Sequence, residues 1–398
     1  MGVDHRQGQP ILRPTPDFAD YYREIYARGL GGETPAIPVP VAELEQRAVE
    51  AMEPRIANYV GAGAGSEQTM RANVEAFARH RIVPRMLRDV ADRDLSTTVL
   101  GTAMPAPLLL APIGIQQGVH PDGELATARA AAAIGVPMIA STASHFSLEE
   151  IAEAGGDAPR WFQLYWPNDP ELARSFVKRA ERAGYGAIVL TVDTFIPGWK
   201  PRDLQQAWLP FLEGRGVGNY FQDPVFRSRL EKPPEEDPGM ATGQFLAVQA
   251  NPSLSWDDLA QLREMTSLPI LVKGILHVDD AREAVRRGVD GIVVSNHGGR
   301  QVDGAIASID ALPAIAEAVG GELAILFDSG IRSGSDVLKA LALGADAVCL
   351  GRPYLWGLAL DGQAGVEAVL KMVLAELDLT MALCGLTRPG EIGPELLA

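Results

Sequence analysis

The strongest constraint on this chain is a rhythm. From residue 108 onward eight short apolar or β-branched runs recur: Leu108–Ala111, Met138–Ser141, Trp161–Leu164, Ala187–Thr191, Ile270–Lys273, Gly291–Ser295, Ala324–Asp328 and Ala347–Gly351. Between them lie stretches with the apolar period of a helix, among them Gly123–Ile134, Pro170–Ala183, Asp279–Arg287 and Ser335–Leu343. All but one of the start-to-start intervals run from 21 to 33 residues, the length of a strand-loop-helix-loop unit. Strict alternation of strand and helix implies a parallel sheet. Eight units imply that the sheet closes. The expected fold is therefore α/β, a single (β/α)8 TIM barrel over residues 1–398. Residues 1–104 form an N-terminal arm and helices, with a Pro/Gly-rich extended part over 1–40 and helical turns over 41–80.

The alternative, a doubly wound open sheet, would carry a glycine fingerprint after its first strand. One candidate exists, Gly61-Ala62-Gly63-Ala64-Gly65. Its third glycine position is Ser66, and the preceding Arg55–Val60 is a poor strand, so the segment reads as a flexible turn.

One interval breaks the rhythm. Between Thr191 and Ile270 lies a long insertion, about residues 205–252, containing Lys232-Pro233-Pro234-Glu235-Glu236-Asp237-Pro238-Gly239. Loops this long in a compact domain are lids or disordered. This one leaves the fourth strand on the catalytic side of the barrel, so a mobile lid is expected.

Bulk properties exclude several classes. The formal charge of −16 opposes binding to a phosphate backbone, so no nucleic-acid partner is expected. No apolar run reaches the roughly 18 residues of a membrane span. The opening MGVDHRQGQPILRPTPD has no apolar leader core. Two cysteines, Cys349 and Cys384, sit in apolar company and imply no disulfide framework, which fits the cytoplasm. No metal-ligand spacing occurs, so no metal is expected. No G-x-S-x-G elbow stands at a strand-to-helix turn.

Function in such a barrel lies at the carboxyl ends of the strands. Those ends are dense in polar residues: Ser141, Gln163, Tyr165, Thr191, Asp193, Lys273, Ser295, His297, Arg300, Asp328, Arg332 and Arg352. Asp328-Ser329-Gly330-Ile331-Arg332-Ser333-Gly334 follows the seventh strand and Gly351-Arg352-Pro353 the eighth. These are the two loops that cradle phosphate in this fold, glycines admitting backbone N–H groups and arginines adding charge. Of six histidines only His297 stands at a strand end between small residues, with Arg300 three positions on. An arginine to hold a carboxylate beside a histidine to take a proton suits an anionic substrate. Asp193, ending the fourth strand, can orient the imidazole as in a triad.

These residues resemble the FMN-dependent L-2-hydroxy acid oxidase family over nearly the whole chain. The resemblance is carried by SNHGGRQ at 295–301, LVKG at 271–274, DSGIR at 328–332 and LGRP at 350–353. DYYREIYARGL, FIPGWKPRDL at 195–204 and NYFQDPVF at 219–226 resemble its lactate 2-monooxygenase branch. The resemblance implies FMN as cofactor, a small 2-hydroxy acid and molecular oxygen as reactants, and a homotetramer or homo-octamer. It implies His297 as base with Asp193 as its partner. Tyr165 would join them in catalysis, and Tyr59, Tyr165, Lys200, His297 and Arg300 would bind substrate. Lys273 would lie at the flavin N1/O2 edge, where positive charge favours the reduced ring. Pro112, Ile113, Gly114, Ser141, Gln163, Thr191 and Ser295 would line the isoalloxazine. Asp328, Ser329, Gly330, Ile331, Arg332, Gly351 and Arg352 would take ribityl and phosphate.

Three positions stand out within that pattern. The carboxylate-binding arginine of similar enzymes is Lys200 here, which lacks the planar two-point fork; Arg202 occurs in the relatives as well. Ala143 replaces a bulkier residue and implies a roomier side-chain pocket. Gly114 replaces the alanine of simple oxidases and implies space beside the flavin. With the lid, that space implies oxidative decarboxylation to a shortened acid, CO2 and water. The alternatives are a simple oxidase releasing 2-oxo acid and hydrogen peroxide, a flavin dehydrogenase with another acceptor, and a non-catalytic flavin binder.

Overall fold

The computed structural model describes residues 17–398. Eight strands are present: β1 (Leu108–Leu110), β2 (Met138–Ser141), β3 (Arg160–Leu164), β4 (Ile188–Thr191), β5 (Ile270–Ile275), β6 (Gly291–Val294), β7 (Ala324–Phe327) and β8 (Ala347–Leu350). Neighbours pair in parallel in chain order, and β8 pairs with β1 to close the barrel. The runs are nearly continuous in apolar residues because both faces are covered. Leu109, Ile139, Trp161, Val189, Leu271, Val293, Leu326 and Cys349 fill the barrel interior. Their neighbours Leu108, Leu110, Phe162, Ile188, Val272, Ile292 and Ile325 face the outer helices. The alternation is the two-residue period of a strand.

The amino-terminal mouth is stopped by a feature absent from the sequence reading of 1–104 as arm and helices. Thr97–Val99 and Thr102–Met104 form an antiparallel hairpin. Val99 and Met104 join the interior cluster, and the Trp161 indole donates to Thr102 Oγ1 at 3.0 Å. The arm itself contains the helix Asp20–Gly29, so it is not wholly extended; its first sixteen residues lie outside those described. The helices Val41–Ala51, Pro54–Gly61 and Gln68–Glu75 bear out the helical turns over 41–80.

The insertion is also corrected. It is not a structureless charged loop but a folded cap with the helices Pro201–Gln205, Gly218–Phe221, Pro224–Ser228 and Pro238–Val248. Phe226, Tyr220 and Phe245 are buried together, Tyr220 edge-on to both phenylalanines. Asp223, fully buried, receives Arg179 at 3.0 Å. Asn219 donates to the carbonyls of Ser141 and Thr142 and accepts the Leu148 N–H at 2.8 Å. These bonds tie the cap to the end of β2.

Candidate active site

The chain leaves β6 through a loop that reverses by backbone torsion. His297, Gly298 and Gly299 all have positive φ, at 59°, 65° and 77°. For histidine this costs about 1–2 kcal/mol, which the surroundings must offset. The His297 and Gly298 N–H groups donate to Ser295 Oγ and Ser329 Oγ, each at 3.0 Å. Asn296 Oδ1 accepts from Gly299 N at 3.0 Å, and a reciprocal amide pair with Asn73 at 2.7 Å fixes Asn296 against the helix Gln68–Glu75. A Cβ on Gly299 would sit 2.5 Å from the Met70 backbone nitrogen, so the close approach of that helix requires glycine there.

The imidazole is therefore aimed by the fold. Asp193 Oδ1 lies 2.7 Å from His297 Nδ1, and Thr194 Oγ1 lies 3.2 Å from the same nitrogen. Nε2 points the other way, 3.5 Å from the Tyr165 hydroxyl. Burial alone would raise the Asp193 carboxyl. The charges of His297 and Lys273, with hydrogen bonds from His297 and Thr194, outweigh it and bring the group down to about 2. Burial and the Asp193 charge raise the Tyr165 phenol, and burial raises that of Tyr59, so both stay neutral donors.

Lys273 is buried at the end of β5. It donates to Ser295 Oγ at 2.8 Å and pairs with Asp328 at 3.1 Å. Burial works against its charge, yet Asp328 and Asp193 hold the ammonium firmly protonated. Beneath it a buried chain runs across three strand ends: Ser141 Oγ donates to Gln163 Oε1, and Gln163 Nε2 donates to Thr191 Oγ1, each at 3.0 Å.

Of the residues assigned in the sequence to catalysis, substrate or cofactor, all but Gln163, Thr191, Asp193 and Ser295 line one cavity of about 270 Å³ over the carboxyl ends of the strands. Ala143 also lines it, as do Leu209, Phe211, Tyr220, Phe245, Gln249 and Ala250 from the insertion. The insertion thus contributes walls that the sequence reading did not name. Their only sequence signal was aromatic spacing within a segment read as a loop.

Three expectations change. Arg300 lines the cavity, but its Nη1 donates to the carbonyls of Tyr59 and Ala62 at 2.8 and 2.7 Å, leaving Nε and Nη2 for other acceptors. The glycine segment 61–65 is a pinned turn and not a flexible one: Ala64 N donates to Gly299 O and Gly65 N to Trp199 O. Gly114 opens no space, because the direction its Cβ would take is filled by the Ala143 carbonyl oxygen at 2.5 Å. Arg202 ion-pairs with Glu67 and does not line the cavity, whereas Lys200 does. Burial, then the nearby Arg300 charge, lowers the Lys200 ammonium to about 8.

At the far end Arg332 and Arg352 stand on the loops after β7 and β8. Among the described residues no carboxylate lies within ion-pairing distance of either. Arg332 lies over the Trp356 ring at 5.1 Å. Burial, then Arg300 and Arg332, pulls the Arg352 guanidinium down to about 9. Buried cations that repel one another are costly unless an anion joins them.

A sequence profile described as FMN-dependent dehydrogenase matches residues 48–398. The chain belongs to that family. It is 46% identical over 364 residues to the L-lactate oxidase of Lysinibacillus sphaericus (strain C3-41), covering 92% of this chain and 93% of that one. It is 46% identical over 356 residues to 2-hydroxyacid oxidase 1 of Homo sapiens, covering 87% and 92%. A crystal structure of mandelate oxidase superposes with a TM-score of 0.80 at 40% identity, covering 91% of this chain and 98% of that one. As a member of the FMN-dependent dehydrogenase family the protein is an FMN-dependent 2-hydroxy acid oxidoreductase. The site fits that cofactor on its own terms. Arg332 and Arg352, in no ion pair among the described residues, suit a phosphate dianion at helix starts. Lys273, held charged, suits a ring that gains negative charge on reduction.

Proposed function

We propose that the protein oxidises an L-2-hydroxy acid with an apolar side chain larger than methyl, and decarboxylates the product before releasing it. Bound FMN supplies the two-electron acceptor that oxygen afterwards re-oxidises. His297 takes the proton through Nε2, and Asp193 stabilises the resulting imidazolium. A positioned general base contributes about 10²–10⁴-fold to rate. Lys200 and the remaining donors of Arg300 hold the substrate carboxylate. The neutral Tyr59 and Tyr165 hydroxyls donate to its oxygens. Gly330, Gly351, Arg332 and Arg352 hold the phosphate, and Lys273 the reducible ring.

The size of the side chain is supported by the small Ala143 sharing the cavity wall with the apolar Leu209, Phe211 and Phe245. One observation carries the decarboxylating outcome: the insertion is a folded, anchored cap whose residues wall the cavity. A 2-oxo acid enclosed by such a cap meets the peroxide made beside it. One oxygen atom then enters the shortened acid, the other leaves as water, and the carboxyl departs as CO2. A second reading, a simple oxidase releasing 2-oxo acid and hydrogen peroxide, is favoured by Lys200, whose partial charge grips a carboxylate less firmly than arginine. Product analysis under air with catalase present decides between them. A shortened acid and CO2 in step with oxygen uptake support coupling; stoichiometric 2-oxo acid excludes it.

A further inference from the structure

A second cavity, of about 540 Å³, adjoins the one already described, Gln301 lining both. Its wall is mostly apolar and includes Leu254, Trp256 and Leu259 from the segment before β5, with Phe195 and Val302 exposed at 46% and 65% around it. Asp193 and Asp280 are the only charged residues lining it, and both are acids. Asp193 lines this cavity and not the other. Its Oδ1 is committed to His297 and Thr194, while its buried Oδ2 has no hydrogen-bond partner. Gly274 lies beside that oxygen: a Cβ built there would come within 3.0 Å of Oδ2. A carboxylate oxygen left unpaired in an apolar wall is an energetic defect that a donor or cation would relieve.

We propose that this second cavity is a regulatory site for a small organic ammonium ion with an apolar or aromatic body. The apolar wall takes the body, and the rings of Phe195 and Trp256 tolerate a neighbouring cation. Asp280 at the rim and Asp193 within select positive charge and reject carboxylates, so the hydroxy acid substrate is excluded. Asp193 connects the wall of this cavity to His297, whose Nδ1 lies 2.7 Å from its Oδ1. Positive charge on its far side draws on the same carboxylate that supports the imidazolium, which makes proton abstraction harder. The ligand therefore slows turnover without competing for the substrate position. By reciprocity, protonation of His297 weakens the ligand by the same factor.

The probe is benzylammonium, tested on the FMN-loaded enzyme, with benzyl alcohol as its uncharged counterpart. Calorimetry should detect one benzylammonium bound, with benzyl alcohol at least about 10-fold weaker. At saturating benzylammonium kcat should fall about 10-fold, in the usual range of coupling between two sites, with KM for the hydroxy acid nearly unchanged. Ala305→Phe, which fills the cavity, should abolish both binding and inhibition while uninhibited turnover and flavin absorbance persist. Asp280→Asn, milder and at the rim, should weaken binding about 3-fold. Inhibition that competes with the hydroxy acid, binding indifferent to both substitutions, or binding that leaves kcat unchanged would each overturn the proposal. The effect on kcat rests on the role proposed for His297, whereas binding does not, so calorimetry separates failure of the site from failure of that role.

Discussion

Lys200 gives the active site a titration that a guanidinium would not have. Its ammonium is brought to about 8 by burial first and by Arg300 second. At pH 7 about nine-tenths of the free enzyme carries the charge, and at pH 9 about one-tenth. If charged Lys200 is what holds the substrate carboxylate, kcat/KM must fall about tenfold between those values and continue falling tenfold per unit above them, because kcat/KM reports the free enzyme. The sign follows from the group: a cation lost as pH rises weakens the grip on an anion. The loss should be mainly in KM, since bound carboxylate restores the charge and kcat is measured on the complex. Lys200→Arg replaces the titrating group by one that stays protonated, so the alkaline limb near 8 should vanish. Its planar fork should also raise kcat/KM at pH 7 by up to about tenfold, or roughly 1.4 kcal/mol. The assay is anaerobic flavin reduction by stopped flow across pH 6–10 with one hydroxy acid, wild type against Lys200→Arg. An unchanged alkaline limb in the variant would assign the titration to another group and refute the argument.

Four further outcomes are expected. His297→Gln should retain FMN absorbance but slow flavin reduction about 10²–10⁴-fold, read under single-turnover conditions. Arg352→Met should weaken FMN about 10- to 100-fold in a fluorescence titration, the loss of one charge-assisted bond, with little change in the reduction rate of the reloaded enzyme. Asn219→Ala should leave the Leu148 N–H and the Thr142 carbonyl unpaired under the cap, costing about 2–4 kcal/mol in urea unfolding and shifting products toward free 2-oxo acid if the cap retains it. Gly114→Ala should destabilise the protein by about 1–3 kcal/mol, since the new methyl meets backbone at 2.5 Å; a neutral result by thermal melting would mean that the Ala143 loop moves freely.

How much of this was legible in the sequence depended on whether one element or several had to be read together. The barrel strands were legible because burial on both faces makes each a continuous apolar run, and β1 to β8 start within a residue of the runs. The positions of His297 and of the glycine- and arginine-bearing loops after β7 and β8 were legible because the fold fixes where strand ends go. The hairpin 97–104 was not, since two three-residue strands carry too short an alternation to register. The cap was misread for a different reason. Phe211, Tyr220, Phe226 and Phe245 have no common period and become a core only when their short helices pack. The polar surface of Lys232–Gly239 then dominates the local pattern. Arg300 shows the limit from the other side: the sequence gives its position beside His297, but not that the carbonyls of Tyr59 and Ala62 engage one end of its guanidinium.

The two small residues near the flavin position, read as separate enlargements in the sequence, are one structural change. Gly114 lacks the Cβ that would strike the Ala143 carbonyl oxygen at 2.5 Å and the Ala143 Cβ at 2.9 Å, and the Ile115 N–H donates to that same carbonyl at 3.0 Å. The absent methyl is thus replaced by backbone, and the loop after β2 is drawn against the loop after β1. Any room gained at position 143 by its small side chain is partly given back by this approach, so the cavity is reshaped more than enlarged. That loop is also where Asn219 fastens the cap, through the carbonyls of Ser141 and Thr142. Gly114, Ala143 and the cap therefore form one mechanical unit, in which the contact at 114 sets where the loop lies and the loop sets where the cap can rest. On the decarboxylating reading proposed above, Gly114 would act on the fate of the product through the seating of the cap, and not through empty volume beside the ring.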